Sequence, residues 1–230
     1  MNRLIEPGYL RGALTIQPSK SASHRALICA ALSPGMSTIR GLGHSQDIDC
    51  TYRGLEAMGW MQAAASGGAL QVAGGQPRPQ TARLVDCGES GSTLRFLIPL
   101  ALLGGGPVHF VGHGRLMERP MTPYQTLFST LRGVRYGQDD SGIWAEGQLS
   151  PGDYRLPGNV SSQFVSGLLL ALACLDGPSR LEMTTDLESR GYVEMTRQMQ
   201  AAFGAKSHWE GERILVVEGG GYRPAQVQVE

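Results

Sequence analysis

The chain has 230 residues, enough for one large domain or two small ones with a real core. Lys plus Arg equals Asp plus Glu at 20 each, so no global basic field points to nucleic acid. No apolar run is long enough to span a bilayer, no signal-peptide pattern opens the chain, and Cys29, Cys50, Cys87 and Cys174 are scattered without a CxxC spacing, so a reduced, cytoplasmic protein is expected.

In chain order, residues 1–17 hold one strand-like piece, Gly12 to Ile16, closed by Gln17-Pro18. A pattern then begins that occurs three times. Small hydroxyl residues stand at Lys20-Ser21-Ala22-Ser23, Ser90-Gly91-Ser92-Thr93 and Val160-Ser161-Ser162-Gln163. Each leads into an apolar run: Ala26 to Leu32, Phe96 to Leu103 and Val165 to Leu175. Ser or Thr ahead of such a run reads as a helix N-cap, because its oxygen accepts an otherwise unpaired backbone N–H. Runs that are apolar nearly all round predict helices buried on every side. Pro99 falls inside the second and is expected to kink it.

Gly/Pro breaks at Pro34-Gly35, Gly106-Pro107 and Gly177-Pro178 end the runs, at a period of about 70 residues. Short strand-like pieces follow at Ser37–Ile39, Val108–Val111 and Arg180–Met183. Second helices are expected over Asp49–Met58, Met121–Leu131 and Tyr192–Phe203, each stopped by a glycine. Two further strand-like pieces close a unit, for example Ala69–Val72 and Arg83–Val85. Each unit therefore reads as βαβαββ. The fold class is α/β, with three pseudo-threefold repeats, helices inside and sheets outside. Ala225 to Glu230 forms one more alternating piece; like Gly12–Ile16, it falls outside the repeats, leaves a bare strand edge and suggests a missing second half.

Such packing brings three helix N-termini to one end, where free N–H groups and about half a positive charge per helix favour anions. Single Ser caps occur in most proteins without a ligand; three equivalent caps, with Lys20, Arg25 and Arg95 beside them, predict an anion site. Lys20 and Arg25 are misplaced cations at a helix N-terminus unless an anion joins them. Other patterns fail. Gly88-Glu89-Ser90-Gly91 is followed by Ser92, so it is no nucleophile elbow. The triple glycines lack a P-loop Lys, and the five histidines show no metal-ligand spacing.

The motifs now carry a resemblance. Gln17 to Arg25 resembles the substrate-binding motif of the 5-enolpyruvylshikimate-3-phosphate (EPSP) synthases, enolpyruvyl transferases of the shikimate pathway. Gly88-Glu89-Ser90-Gly91-Ser92-Thr93-Leu94-Arg95, Glu118-Arg119-Pro120, Ser161-Ser162-Gln163-Phe164 and Ser189-Arg190-Gly191-Tyr192 are similar to four later family motifs, in order. The resemblance covers nearly the whole chain but only the N-terminal half of a family member. It implies an inside-out α/β barrel that transfers enolpyruvyl from phosphoenolpyruvate to the 5-hydroxyl of shikimate 3-phosphate, with no metal and no cofactor.

By the same resemblance, Ser161, Ser162, Gln163 and Ser189 hold the shikimate 3-phosphate, and Ser21, Arg25 and Tyr192 position its carboxylate, hydroxyls and ring. Lys20, Gly91, Arg119 and Gln163 hold phosphoenolpyruvate, with Lys20 as the catalytic cation; Arg95 supports this shell. A methyl on Gly91 is expected to crowd that ligand. Glu89 stands where the family has Asn, and needs a cation such as Arg95 or Arg119. Residues 18–224 form the shikimate-phosphate domain, while 1–17 and 225–230 belong with a missing second domain that carries the acid and base groups. The isolated chain is then expected to bind without turnover. The alternatives are a non-catalytic anion-binding module and half of a UDP-N-acetylglucosamine enolpyruvyl transferase.

Overall fold

The computed structural model describes residues 4, 8–9, 11–14, 16–75 and 83–230. Three helices form the centre: α1 (Lys20–Leu32), α3 (Gly91–Ala101) and α5 (Ser162–Leu172). Each begins at a serine whose hydroxyl accepts a backbone N–H of the first turn. Ser19 takes that of Ala22 at 3.3 Å, Ser90 that of Thr93 at 3.2 Å and Ser161 that of Gln163 at 3.3 Å. The cap of α1 is thus Ser19, not Ser21; Ser23, the third serine of that run, accepts from Gly43 N–H instead. Every residue from Ser23 to Leu32 and from Phe164 to Leu172 is buried, as all-round apolar sequence requires. Full burial of one Leu or Phe contributes about 1.5–3 kcal/mol.

Three outer helices accompany them: α2 (Gln46–Ala57), α4 (Thr122–Ser129) and α6 (Arg190–Ala202). Outside lie three four-stranded sheets. The second holds β4 (Arg83–Asp86), β5 (Val108–Val111), β6 (Val134–Asp139) and β7 (Gly142–Gly147), in order β4-β5-β7-β6. The third holds β8 (Asp153–Leu156), β9 (Ser179–Met183), β10 (Ser207–Glu210) and β11 (Ile214–Val217), in order β8-β9-β11-β10. In both, the leading pair is parallel and the rest antiparallel.

The first sheet has the same plan, but its leading strand comes from the other end of the chain. It runs β12-β1-β3-β2, with β1 (Gly35–Arg40), β2 (Met61–Ser66), β3 (Ala69–Gly74) and β12 (Gln226–Gln228). Strand β12 pairs parallel with β1, Val227 opposite Ile39. The expectation that Ala225–Glu230 lies outside the repeats is therefore corrected. Its pairing completes the first unit, and Glu230 O accepts from Ser19 N–H at 2.9 Å where α1 begins. Two smaller expectations also change. Arg83–Asp86 leads the second unit instead of closing the first, and the closing hairpin is β2–β3. Of the strand expected at Gly12–Ile16, residues 12–14 and 16 are in no strand, and Thr15 lies outside the described residues.

Where α3 and α5 cross, Gly167 allows contact: a Cβ there would meet the Arg95 carbonyl and the Tyr124 hydroxyl. Pro99 stands in the last turn of α3, where it lacks the N–H that would bond the Arg95 carbonyl four residues back. Tyr124 O–H fills that place at 2.8 Å. Around it, Tyr124 stacks on Phe128 at 5.0 Å and meets Phe164 edge-on at 4.8 Å between centroids. Among the described residues, no helix is long and apolar enough to cross a membrane.

Candidate functional site

The three inner N-termini open on one cleft of about 460 Å³. Helix α1 contributes Lys20, Ser21 and Arg25; α3 contributes Ser92 and Arg95; α5 and its cap contribute Ser161, Ser162 and Gln163. Ser189 and Tyr192 come from the start of α6, and Arg119 from the loop before α4. Of the residues that the sequence resemblance assigns to the site, only Gly91 is not on the wall. It lies just behind, where a Cβ would meet Arg119 Nη1 at 2.6 Å and Arg95 Nη1 at 3.7 Å. In this ligand-free site a methyl on Gly91 first crowds the cations.

Arg25 is the most deeply set cation, 3% exposed. Its Nε donates to Thr196 Oγ1 at 2.7 Å, Nη1 to the Ser21 carbonyl at 2.8 Å, and Nη2 to Ser166 Oγ at 3.2 Å and the Tyr192 carbonyl at 3.1 Å. All four acceptors are neutral. Burial pulls its pKa down to about 10, against weaker upward effects of Cys29 and Tyr192, so it stays charged at neutral pH. A buried cation without a carboxylate is costly until an anion arrives.

Arg95 is in a similar state. Burial, with the nearby charge of Arg119, lowers its pKa. Its guanidinium lies 4.7 Å over the Phe164 ring, Nη1 donates to Gln163 Oε1 at 2.7 Å, and buried Nε has no partner. Gln163 Nε2 in turn donates to Ser92 Oγ at 2.9 Å. The Gln163 amide is thereby oriented from both ends across the α3–α5 boundary. Among the described residues Arg25, Arg95 and Arg119 form no ion pair.

Lys20 differs from the three arginines. Its Nζ pairs with Asp47 Oδ2 at 2.6 Å, with side chains 54% and 28% exposed. The misplaced cation of α1 therefore already has a carboxylate, in a pair that contributes little in this much solvent. Ser189 is the one described non-glycine residue with positive φ, at φ 56 and ψ 40. It starts α6 without capping it, which leaves its hydroxyl free at the cleft. Ser161 spends its hydroxyl on its own helix. Glu89 does not pair with Arg95 or Arg119; it is exposed and lies against Gly114, away from the cleft wall.

Sequence reasoning missed Asp47, Ser92 and Glu188. Ser92 sits inside the second hydroxyl run and was open to the same argument as its neighbours. Asp47 lies 27 residues from Lys20, and no spacing links them. Glu188 directly precedes Ser189 on the cleft wall. Among the described residues no cluster of three or more His, Cys, Asp or Glu could hold a metal ion.

The family model for EPSP synthase (3-phosphoshikimate 1-carboxyvinyltransferase) matches residues 5–230. A curated 3-phosphoshikimate 1-carboxyvinyltransferase of Clostridium kluyveri is 42% identical over 218 residues, covering 94% of this chain and 50% of its own. One from Clostridium perfringens is 36% identical over 230 residues, covering 99% of this chain and 54% of its own. A solved EPSP synthase from Acinetobacter baumannii superposes with a TM-score of 0.77 at 25% identity, over 95% of this chain and 50% of that one. The chain thus spans about half the length of the relatives it matches.

Proposed function

The chain belongs to the EPSP synthase family, and from that premise we propose that its cleft is the shikimate 3-phosphate side of an enolpyruvyl transferase site. One observation carries the reading. Three guanidiniums without carboxylate partners among the described residues converge with three helix N-termini on one cleft lined by hydroxyls. A phosphorylated, hydroxylated carboxylate supplies what that surface lacks.

In this reading Ser162 and Ser189 offer free hydroxyls to the 3-phosphate, and Ser161 adds the α5 N-terminus that it caps. Ser21, Arg25 and Tyr192 position the carboxylate, hydroxyls and ring. Gln163, held by Arg95 and Ser92, faces both substrates. Lys20, Arg119 and the backbone at Gly91 take phosphoenolpyruvate. In the reaction, the 5-hydroxyl gives its proton to a base as its oxygen adds to C2 of phosphoenolpyruvate, and an acid protonates C3. The tetrahedral adduct then loses one proton of the C3 methyl and phosphate to give the enolpyruvyl ether. These residues offset the repulsion of two anions and align them; Lys20 leaves Asp47 for the substrate.

The acid and base groups are assigned to the part of the longer relatives outside this chain, so the chain alone binds and does not turn over. In this reading the crossings to that part run through residues 1–17 and 225–230, a proposal in keeping with the hydrogen bond from Ser19 N–H to Glu230 O. The four cysteines are unpaired, in keeping with a cytoplasmic location.

The test is calorimetric titration with shikimate 3-phosphate, with inorganic phosphate as control. Saturable binding tighter than phosphate is expected. Binding no tighter than phosphate would refute the assignment of the cleft, and turnover by this chain alone would refute the division of labour.

A further inference from the structure

Each outer helix sends one hydroxyl inward, and each lands between two inner helices within their first two turns. Thr51 of α2 bonds His24 Nδ1 of α1 at 2.8 Å and Thr93 Oγ1 of α3 at 2.7 Å. Tyr124 of α4 shares its proton between the Arg95 carbonyl of α3 at 2.8 Å and the Phe164 carbonyl of α5 at 3.0 Å. Thr196 of α6 accepts from Arg25 Nε of α1 at 2.7 Å and bonds Ser166 Oγ of α5 at 2.9 Å. All three side chains are fully buried. The pairs α1/α3, α3/α5 and α5/α1 are each bridged once, so the contacts close a ring about the pseudo-threefold axis.

The ring does something apolar packing does not. Apart from the Arg25–Ser166 and Arg95–Gln163–Ser92 contacts at the cleft itself, the inner helices are buried in a largely apolar core, which resists separation but sets axial shift and rotation only loosely. Hydrogen bonds are directional and, in a dry core, strong. The bridged groups are also those that carry the cleft. Arg25 is bridged through its guanidinium and Arg95 through its backbone carbonyl, His24 adjoins Arg25, and Phe164 adjoins Gln163.

We propose that Thr51, Tyr124 and Thr196 are positioning residues of the anion site. Their hydroxyls fix the spacing and rotation of the three N-termini, so that Arg25, Arg95 and the serines reach one ligand together. The choice of shikimate 3-phosphate as probe rests on the function proposed above; the ring itself does not.

The test compares Thr196→Val, which keeps the shape and removes the hydroxyl, with Thr196→Ser, which restores it. Two quantities are read: affinity for shikimate 3-phosphate, and hydrogen exchange at Arg25 Nε–H by NMR. Loss of a bond to a charged group predicts about tenfold weaker binding and about tenfold faster exchange in the Val variant, with the Ser variant close to wild type. A lower melting temperature with both quantities unchanged would overturn the proposal, because it would reduce Thr196 to a stabilising contact. If Thr196→Val does not fold, Tyr124→Phe serves with Arg95 Nη–H exchange, and unchanged exchange and affinity there would equally overturn it. If wild-type protein fails to bind shikimate 3-phosphate, the functional reading falls alone, and the exchange rates still decide the ring.

Discussion

The two ends of the inner helix bundle carry hollows of similar size and opposite chemistry. At the C-terminal end a hollow of about 490 Å³ is lined by Leu32, Trp60, Leu103, Tyr222 and neighbours, with no Lys or Arg and one carboxylate, Asp176, among the described residues. There the helix carbonyls are closed by the protein itself. A residue within four positions after each unit's last hairpin bonds back to the end of its own inner helix: Gly75 N–H to Ala31 O at 3.0 Å, Leu149 N–H to Leu102 O at 2.9 Å, and Gly221 N–H to Ala173 O at 2.8 Å. At the N-terminal end each helix receives one serine cap, and Arg25, Arg95 and Arg119 have no carboxylate partner among the described residues. One end is finished by folding and the other awaits a ligand. The difference predicts that substitutions at the two ends affect different measurements.

The largest effect is expected from Arg25→Ala. It removes charge-assisted bonds worth about 1.5–3 kcal/mol each, so affinity for shikimate 3-phosphate should fall at least about a hundredfold. Arg25 also holds Thr196 and Ser166, so the melting temperature should drop as well. Unchanged affinity would break the contrast between the two ends at its strongest point.

The opposite result is expected from Gly220→Pro. Gly220 has φ +87 and donates its N–H to the Leu175 carbonyl just past the end of α5, at 2.9 Å. Proline can match neither, so urea denaturation should show a loss of about 3 kcal/mol. Affinity of the folded protein for shikimate 3-phosphate should stay within about twofold, since an isolated change at this end alters no bond at the other. A matching fall in affinity would mean that the ends are coupled.

A pH effect separates the ends further. His24 is buried under the cleft, and burial, more than the charges of Arg25 and Lys20, holds its pKa down to about 4 despite Asp47. In the unfolded chain it titrates near 6.5. Above that pH both states are neutral and His24 adds no slope. As pH falls from about 6.5 to about 4, only the unfolded state takes the proton, so stability is lost, by about 2 kcal/mol at pH 5. His24→Gln should remove that part of the slope in urea titrations at pH 7.5 and pH 5. An equal slope in both proteins would place the acid sensitivity elsewhere.

How much was legible in the sequence follows the same division. The caps, apolar runs and Gly/Pro breaks are local signals, and they located three units and nearly all of the cleft wall. What failed was non-local or weak. Nothing in Gln226–Gln228 says that it pairs with Ile39 far back in the chain, so β12 read as an orphan. Met61–Ser66 has three alanines and little β propensity, so β2 was passed over. Ser19, Ser21 and Ser23 alternate at the start of α1, and only geometry shows that the first is the cap. Thr51, Tyr124 and Thr196 are invisible as a set, because their likeness lies in which helices they join.

The smallest expected effect is a gain. Arg119 and Arg95 both reach toward Gly91, and Arg119 has no carboxylate partner among the described residues. In the ligand-free chain these like charges repel. Arg119→Gln should therefore stabilise the protein by a few tenths of a kcal/mol at low salt, and the gain should shrink as salt screens the pair. Shikimate 3-phosphate affinity should change little, because Arg119 is assigned to phosphoenolpyruvate. Destabilisation by Arg119→Gln at every salt concentration would show that Arg119 supports the fold. The N-terminal end would then be partly finished by folding too, and the contrast between the two ends would narrow to Arg25 and Arg95.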